Sequence, residues 1–310
     1  MPVRPTRPIP LAVLTGPTAS GKTRIALELA ARWGAEIVSA DSMQVYRRLD
    51  IGTAKPTAAE RARVPHHALD LAEPDEPFDA VRFRDAAEAA IADIAARGRR
   101  VLVVGGTGLY LRVLLYGLAD LPPPDPARRR ELEAEAERAG DAALHARLAA
   151  LDPAAAARIH PADRFRIIRA LEVAAAGRRI SEIQAAHRFA EPRHPHRMVA
   201  LRVEREELRA RILRRAEAML AAGLLEEVRG VLAAGFSPEL RPLQAFGYRE
   251  PVAAVLGRRP VEGLAEAIAR DTARYAKRQV TWLRGERGVE WCEPEVEAVA
   301  ERLAGTGKAE

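Results

Sequence analysis

The residues best equipped for chemistry stand early in the chain. Gly16, Pro17, Thr18, Ala19, Ser20, Gly21, Lys22 and Thr23 match the pattern G-x-x-x-x-G-K-[ST], with an apolar run at 9–15 before them and helical spacing at 24–33 after them. Gly16 and Gly21 permit a tight turn that aims successive N–H groups into one concavity, and a helix starting near Lys22 adds the positive end of its dipole. Such a concavity binds an oxyanion. Lys22 is placed to neutralise terminal phosphate charge, and the Thr23 hydroxyl to bind a magnesium ion that bridges two phosphates. The pattern belongs to nucleotide-binding, ATP-binding loops in general, so it identifies a diphosphate without saying which.

Two further groups belong near that loop. Residues 36–41, Glu-Ile-Val-Ser-Ala-Asp, form a short apolar run that ends on Asp41, as a parallel strand does at the ligand edge of an α/β sheet. A lone Asp there serves as a base, as a helix cap or behind a magnesium ion. The buried run 101–104 leads into Gly105, Gly106, Thr107 and Gly108, where many nucleotide hydrolases carry a magnesium-holding Asp. Thr107 offers a hydroxyl beside Asp41, and the glycines leave room for a bulky group to approach the backbone. His66 and His67 diverge in an extended chain and have no evident third ligand, so they read as loop packing.

These groups need a sheet to hold them. The pattern predicts an α/β fold, a P-loop NTPase-like parallel sheet flanked by helices, with an all-helical insertion domain. Prolines at 122, 123, 124 and 126 mark a boundary, and nearly everything from there to about 190 has helical spacing. The core domain is therefore 1–120 plus 198–310, and 121–197 the insertion. Within the insertion Arg164, Arg166 and Arg169 flank Phe165 and Ile168, on a face suited to a nucleic-acid backbone or to solvent. After a strand at 198–203, a long helix from Glu204 carries Arg211 and Arg215 on one face, suited to close over a diphosphate or, as is commoner for helix arginines, to face solvent.

The segment 243–249 mixes Gln244, Phe246, Gly247, Tyr248 and Arg249, which suits an unstacked base or its phosphate. A helix over about 260–284 places Arg270, Arg274, Lys277, Thr281 and Arg284 in one stripe opposite Ile268, Tyr275, Trp282 and Leu283, and points to RNA or phosphate. A last strand is expected at 289–292.

The composition agrees. Lys and Arg total 49 against 43 acidic residues, a net charge of +6 that suits a polyanionic partner. Only four of those cations are lysines (Lys22, Lys55, Lys277, Lys308), and arginine suits phosphate forks and base stacking. Cys292 is the sole cysteine, which excludes a disulfide framework and a Cys-rich zinc site. No apolar stretch is long enough to span a bilayer, so a cytoplasmic protein without a membrane partner is expected.

Taken in order, several motifs resemble those of the tRNA dimethylallyltransferases, or tRNA isopentenyltransferases. They are Gly-Pro-Thr-Ala-Ser-Gly-Lys-Thr, Asp-Ser-x-Gln-Val-Tyr, Gly-Thr-Ala-Lys-Pro, Val-Gly-Gly-Thr-Gly-Leu-Tyr, Arg-Ile-His-Pro, Arg-Ala-Leu-Glu-Val, Gly-Tyr-Arg-Glu and Tyr-Ala-Lys-Arg-Gln-x-Thr-Trp, between residues 16 and about 292. The resemblance implies transfer of a dimethylallyl group from dimethylallyl diphosphate to N6 of adenosine 37, in tRNAs reading codons that begin with U. It makes the phosphate loop the seat of the donor's diphosphate, with Mg2+ on Thr23. Asp41 then looks like the general base and Thr107 like its orienting partner. Contacts to the tRNA anticodon stem-loop are implied for Asp41, Ser42, Met43 and Gln44, for Thr107 and Arg129, for Phe165, Arg166, Ile167, Ile168 and Arg169, and for Gln244, Ala245, Phe246, Gly247, Tyr248 and Arg249. Arg274 and Lys277 join them from the basic stripe. Phe165 stands where the family often has Gln, so stacking there replaces a hydrogen bond. A monomer is expected. The competing readings are a small-molecule or nucleoside kinase using the loop for ATP, and a non-catalytic RNA-binding protein.

Overall fold

The computed structural model describes residues 8–305 except 124, 188 and 190. From the amino end the elements are β1 (Leu11–Thr15), α1 (Lys22–Trp33), β2 (Ala35–Ser39), α2 (Ala58–Arg63), β3 (His66–His67), α3 (Ala80–Ala96), β4 (Arg100–Val104) and α4 (Gly108–Tyr116). A helical stretch follows: α5 (Pro126–Ala139), α6 (Asp141–Leu151), α7 (Pro153–Ala156), α8 (Arg164–Ala175) and α9 (Ile180–His187). The chain then adds β5 (His196–Leu201), α10 (Arg205–Ala221), α11 (Leu224–Ala233), α12 (Arg249–Val255), α13 (Leu264–Arg284), β6 (Val289–Cys292) and α14 (Val296–Leu303).

The strands form one six-stranded sheet in the order β3-β2-β4-β1-β5-β6, every pairing parallel. Strand β1 lies between β4 and β5, and all five of its residues are buried, as its unbroken apolar run requires. One face is closed by α1 and α14, where Ile25, Leu29, Val299 and Leu303 pack on Leu14, Ile37 and Leu201. Strand β3 was not anticipated. Its two histidines are only half-buried, and it is held by Ile37 N–H to Pro65 O (3.0 Å) and by His67 Nε2 against Glu36 (2.7 Å).

Among the described residues the chain divides into two compact units, with Tyr116–Pro192 in one and residues 8–115 and 193–305 in the other. The sequence puts those borders at 121 and 197. The return is earlier because Arg193 N–H bonds Leu115 O at 2.7 Å and the buried His194 meets Glu88 at 3.0 Å, so strand β5 starts at His196. The helical unit has its own core of Leu132, Leu144, Leu148, Ile167, Leu171 and Val173. Inside it the buried Asp152 caps α7 through Ala155 N–H and also accepts Ser181 N–H, both at 3.0 Å.

Candidate active site

Because β2, β4 and β1 are neighbours, the segments leaving their carboxyl ends lie side by side. Backbone bonds lock them together: Ala40 N–H to Val104 O (2.8 Å), Gly105 N–H to Leu14 O (3.2 Å) and Thr107 N–H to Ala40 O (3.2 Å). This brings the phosphate loop after β1, Asp41 after β2 and Thr107 after β4 to one edge. It is the edge at which open α/β sheets bind ligands.

In the loop, Gly21 adopts φ 96°, a left-handed conformation from which α1 starts. Lys22 Nζ donates to the carbonyls of Gly16 (2.9 Å) and Pro17 (2.8 Å). Burial, and then the charge of Arg215, push the Lys22 ammonium down to about 7, with Asp41 opposing. Arg215 on α10 is itself shifted down by burial and held up by Asp41. Lys22 and Arg215 are thus both perturbed in the neighbourhood of Asp41, as cations in functional sites often are. Arg211, one turn away, instead pairs with Glu207 at 2.8 Å on the surface.

A small cavity of about 50 Å³ is lined by Lys22, Thr23, Ser39, Asp41, Gln44 and Gly105, among others. Asp41 Oδ1 accepts Met43 N–H (2.8 Å) and Gln44 N–H (3.4 Å), which fixes the carboxylate on its own turn. Thr107 Oγ1 accepts Ser42 N–H at 3.0 Å and donates to Ser42 Oγ at 3.3 Å. The described residues contain no group of three or more His, Cys, Asp or Glu placed to hold a metal. Thr23 is exposed at the cavity.

The glycines after β4 serve a purpose other than the one expected of them. A Cβ on Gly105 would meet the Ala40 carbonyl at 2.2 Å, one on Gly106 the Gln279 amide at 2.2 Å, and one on Gly108 the Trp282 ring at 2.4 Å. The bulky groups they admit belong to the protein itself.

Several residues expected to touch RNA are spoken for. Tyr248 is fully buried, donating to Glu227 at 2.6 Å and accepting Gly52 N–H at 3.1 Å. Ile167 and Ile168 lie in the helical unit's core, and Met43 is 8% exposed. Gln44 uses both ends of its amide on the chain, accepting Ser39 Oγ (3.0 Å) and donating to Thr53 O (3.3 Å) and Ala54 O (3.2 Å). The chain itself thus occupies these side chains, although Gln44 still lines the cavity beside Asp41. Phe246 stacks on Tyr275 with ring centroids 3.8 Å apart, and Gln244 is exposed with its amide on Pro238 O.

Other residues keep a surface role. Phe165 is 63% exposed with the Arg129 guanidinium 5.6 Å from its ring centroid. Arg129 and Arg169 both bond the buried Glu172, while Arg166 is mostly exposed beside Asp163. On α13 the basic stripe is interrupted by a carboxylate, since Asp271 pairs with Arg249 and, at 3.2 Å, with Arg274. Arg270, Arg274, Lys277 and Arg284 nonetheless line a groove of about 1130 Å³ between α10 and α13, which reaches Pro17 of the phosphate loop.

A parallel sheet with a phosphate loop at its ligand edge, a carboxylate and a threonine beside it, and an all-helical second unit define an α/β transferase of the P-loop kind. The family described as IPP transferase matches residues 44–286, and that described as isopentenyl transferase matches 9–70. The chain belongs to the IPP transferase family. It is 56% identical to the tRNA dimethylallyltransferase of Anaeromyxobacter dehalogenans strain 2CP-C, over 94% of this chain and 98% of the relative, and 51% identical to that of Geobacter metallireducens, over 91% and 92%. Among solved structures it resembles the tRNA isopentenylpyrophosphate transferase of Bacillus halodurans (TM-score 0.70, 37% identity, 96% of each chain). It also resembles a eukaryotic dimethylallyltransferase acting on tRNA (TM-score 0.80, 27% identity, 96% of this chain and 76% of the other). Family membership displaces the kinase reading of the loop. No helix among the described residues is long and apolar enough to cross a membrane.

Proposed function

We propose that this chain transfers a dimethylallyl group from dimethylallyl diphosphate to N6 of adenosine 37 in tRNAs that read codons beginning with U. The observation that carries the reading is the convergence of Lys22, Arg215 and Asp41 at one sheet edge. There two basic side chains stand ready to meet the charge of a leaving diphosphate and a carboxylate awaits a proton.

An exocyclic adenine amine is a poor nucleophile, because its lone pair is delocalised into the ring. The base must leave the stack and lose a proton as the new bond forms. As the allylic carbon–oxygen bond breaks, its electron pair passes to the diphosphate, and the N6 lone pair forms the new carbon–nitrogen bond. Asp41 accepts the N6 proton, and Thr107 orients the reacting groups. Lys22, Arg215 and the loop N–H groups stabilise the charge on the departing oxygens, each such contact being worth about 3 kcal/mol of barrier. Magnesium fits at Thr23, a hard oxygen donor at the cavity, and with phosphate oxygens it would supply further neutralisation of the leaving group.

The tRNA contact rests on Phe165 and Arg129 of the helical unit and on the basic residues of α13, and the reading takes the chain as a cytoplasmic monomer. The test is incubation with dimethylallyl diphosphate, Mg2+ and an anticodon stem-loop carrying adenosine 37. Mass spectrometry should show dimethylallyladenosine together with released diphosphate. Absence of prenylated RNA there, with formation of ADP in a parallel incubation with ATP and candidate acceptors, would overturn the reading.

A further inference from the structure

Gln279 on α13 is 7% exposed, and the reaction described above makes no use of it. Its Oε1 accepts Thr18 N–H at 2.8 Å and its Nε2 donates to Gly106 O at 2.9 Å. These partners fix the amide's orientation, because an N–H requires the oxygen and a carbonyl requires the NH2. One side chain therefore clips the phosphate loop to the segment that carries Thr107.

Two observations bear on what the clip does for the loop. Ala19, next to Thr18, holds φ 63°, a left-handed conformation that a residue with a Cβ keeps only when its surroundings impose it. Gln279 restrains the peptide before that turn, and Gly21 with the start of α1 restrains the chain after it. Gly106, for its part, leaves room for the amide, since a Cβ there would lie 2.2 Å from Nε2. A left-handed residue inside a run of helical or turn residues aims neighbouring N–H groups into one concavity, the geometry that receives an anion.

We propose that Gln279 is a positioning residue for the donor cradle, its amide holding the Thr18 peptide so that the loop between Thr18 and Lys22 keeps its diphosphate-binding arrangement. This rests on the reading of the loop as the seat of the donor's diphosphate. The clip joins α13, whose basic residues line the large groove, to the cradle, so the donor site depends on a helix 261 residues away in sequence.

The experiment compares wild type, Gln279→Leu and Leu283→Ala by calorimetric titration with inorganic diphosphate and Mg2+, and by steady-state transfer. Leu283 is buried on the same helix and has no polar side-chain atom with which to hold the loop, so its variant controls for lost stability. Gln279→Leu is expected to weaken diphosphate binding at least tenfold and to raise the donor KM in proportion, with the KM for tRNA unchanged. Leu283→Ala is expected to lower Tm with diphosphate affinity intact. Should Gln279→Leu not fold, Gly106→Ala displaces the same amide from its other side and is expected to give the same loss. Wild-type affinity in the clip variants, or an equal loss in Leu283→Ala, would overturn the inference. A wild-type chain that binds no diphosphate would overturn the cradle reading itself.

Discussion

The Tyr248 hydroxyl donates to the Glu227 carboxylate at 2.6 Å, and that carboxylate also accepts the N–H groups of Asp50 (2.8 Å) and Ile51 (2.7 Å). The phenol ring lies against Gly52, where a Cβ would meet it at 2.4 Å. Burial, reinforced by the Glu227 charge, pushes the phenol upward, so it stays a donor at every working pH. Tyr248→Phe removes a hydrogen bond to a charged acceptor together with the one accepted from Gly52 N–H, and the charged bond alone is expected to cost about 1.5–3 kcal/mol of stability. Urea unfolding should show that loss, and filter binding should show an unchanged tRNA affinity. A large affinity loss at full stability would return Tyr248 to the RNA surface.

The role of Asp41 calls for a gentler substitution than alanine. Its Oδ1 holds the turn through Met43 N–H and Gln44 N–H, so truncation would disturb the segment as well as remove a base. Asp41→Asn keeps an acceptor oxygen for the turn and cannot take the N6 proton. Transfer in a single turnover is expected to fall about 10²–10⁴-fold, the usual weight of a general base. The Kd for tRNA should move little. Robust transfer by the Asn variant would remove Asp41 from the proton-transfer step.

Lys22 carries a pH signature. Its ammonium is brought down to about 7 by burial and by Arg215, so at pH 8 the free protein holds it mostly neutral. A diphosphate beside it favours the charged form, and binding at pH 8 must then take up a proton. Below about pH 6 the lysine is already charged and the uptake vanishes. Calorimetry in buffers of different ionisation enthalpy should detect the uptake in wild type and not in Lys22→Met. The linkage to folding has its own sign: a lysine with a lowered pKa penalises the folded state below its folded value. That penalty fades as pH rises from about 7 toward 10.5, so free-protein stability on this account increases over that window.

Which features could be read from the sequence follows from how local their causes are. The phosphate loop is a contiguous eight-residue pattern, and the strands before Asp41 and Thr107 are short runs built on consecutive apolar residues (Ile37-Val38 and Val101-Leu102-Val103-Val104), so position along the chain already places them. Strand β3 is two half-buried histidines with no apolar run, held at the sheet edge by pairing to β2 and by Glu36. Tyr248, beside a glycine and an arginine, has the composition of a base-contact segment, and its burial depends on Glu227, 21 residues earlier. Gln279 lies in a motif visible in the sequence, yet only the packing of α13 on the loop shows that its amide serves Thr18 and Gly106. The glycines at 105, 106 and 108 were recognisable as close-approach positions, but what approaches them comes from β2's exit and from α13.

Phe165 offers the sharpest test of the RNA surface. It is exposed on α8, and the Arg129 guanidinium near its ring is anchored by Glu172, whose side chain is 2% exposed. Ring and cation are thus held before any ligand arrives, which lowers the ordering cost of binding. Stacking of a base on an aromatic ring is worth about 1–3 kcal/mol, so Phe165→Ala is expected to weaken tRNA binding roughly 5- to 150-fold. The donor KM should stay constant. Phe165→Trp, which keeps a stacking face, should retain affinity, whereas Phe165→Gln distinguishes stacking from hydrogen bonding. If the Gln variant binds as tightly as wild type and the Trp variant does not, an amide can serve at this position and the stacking account is wrong.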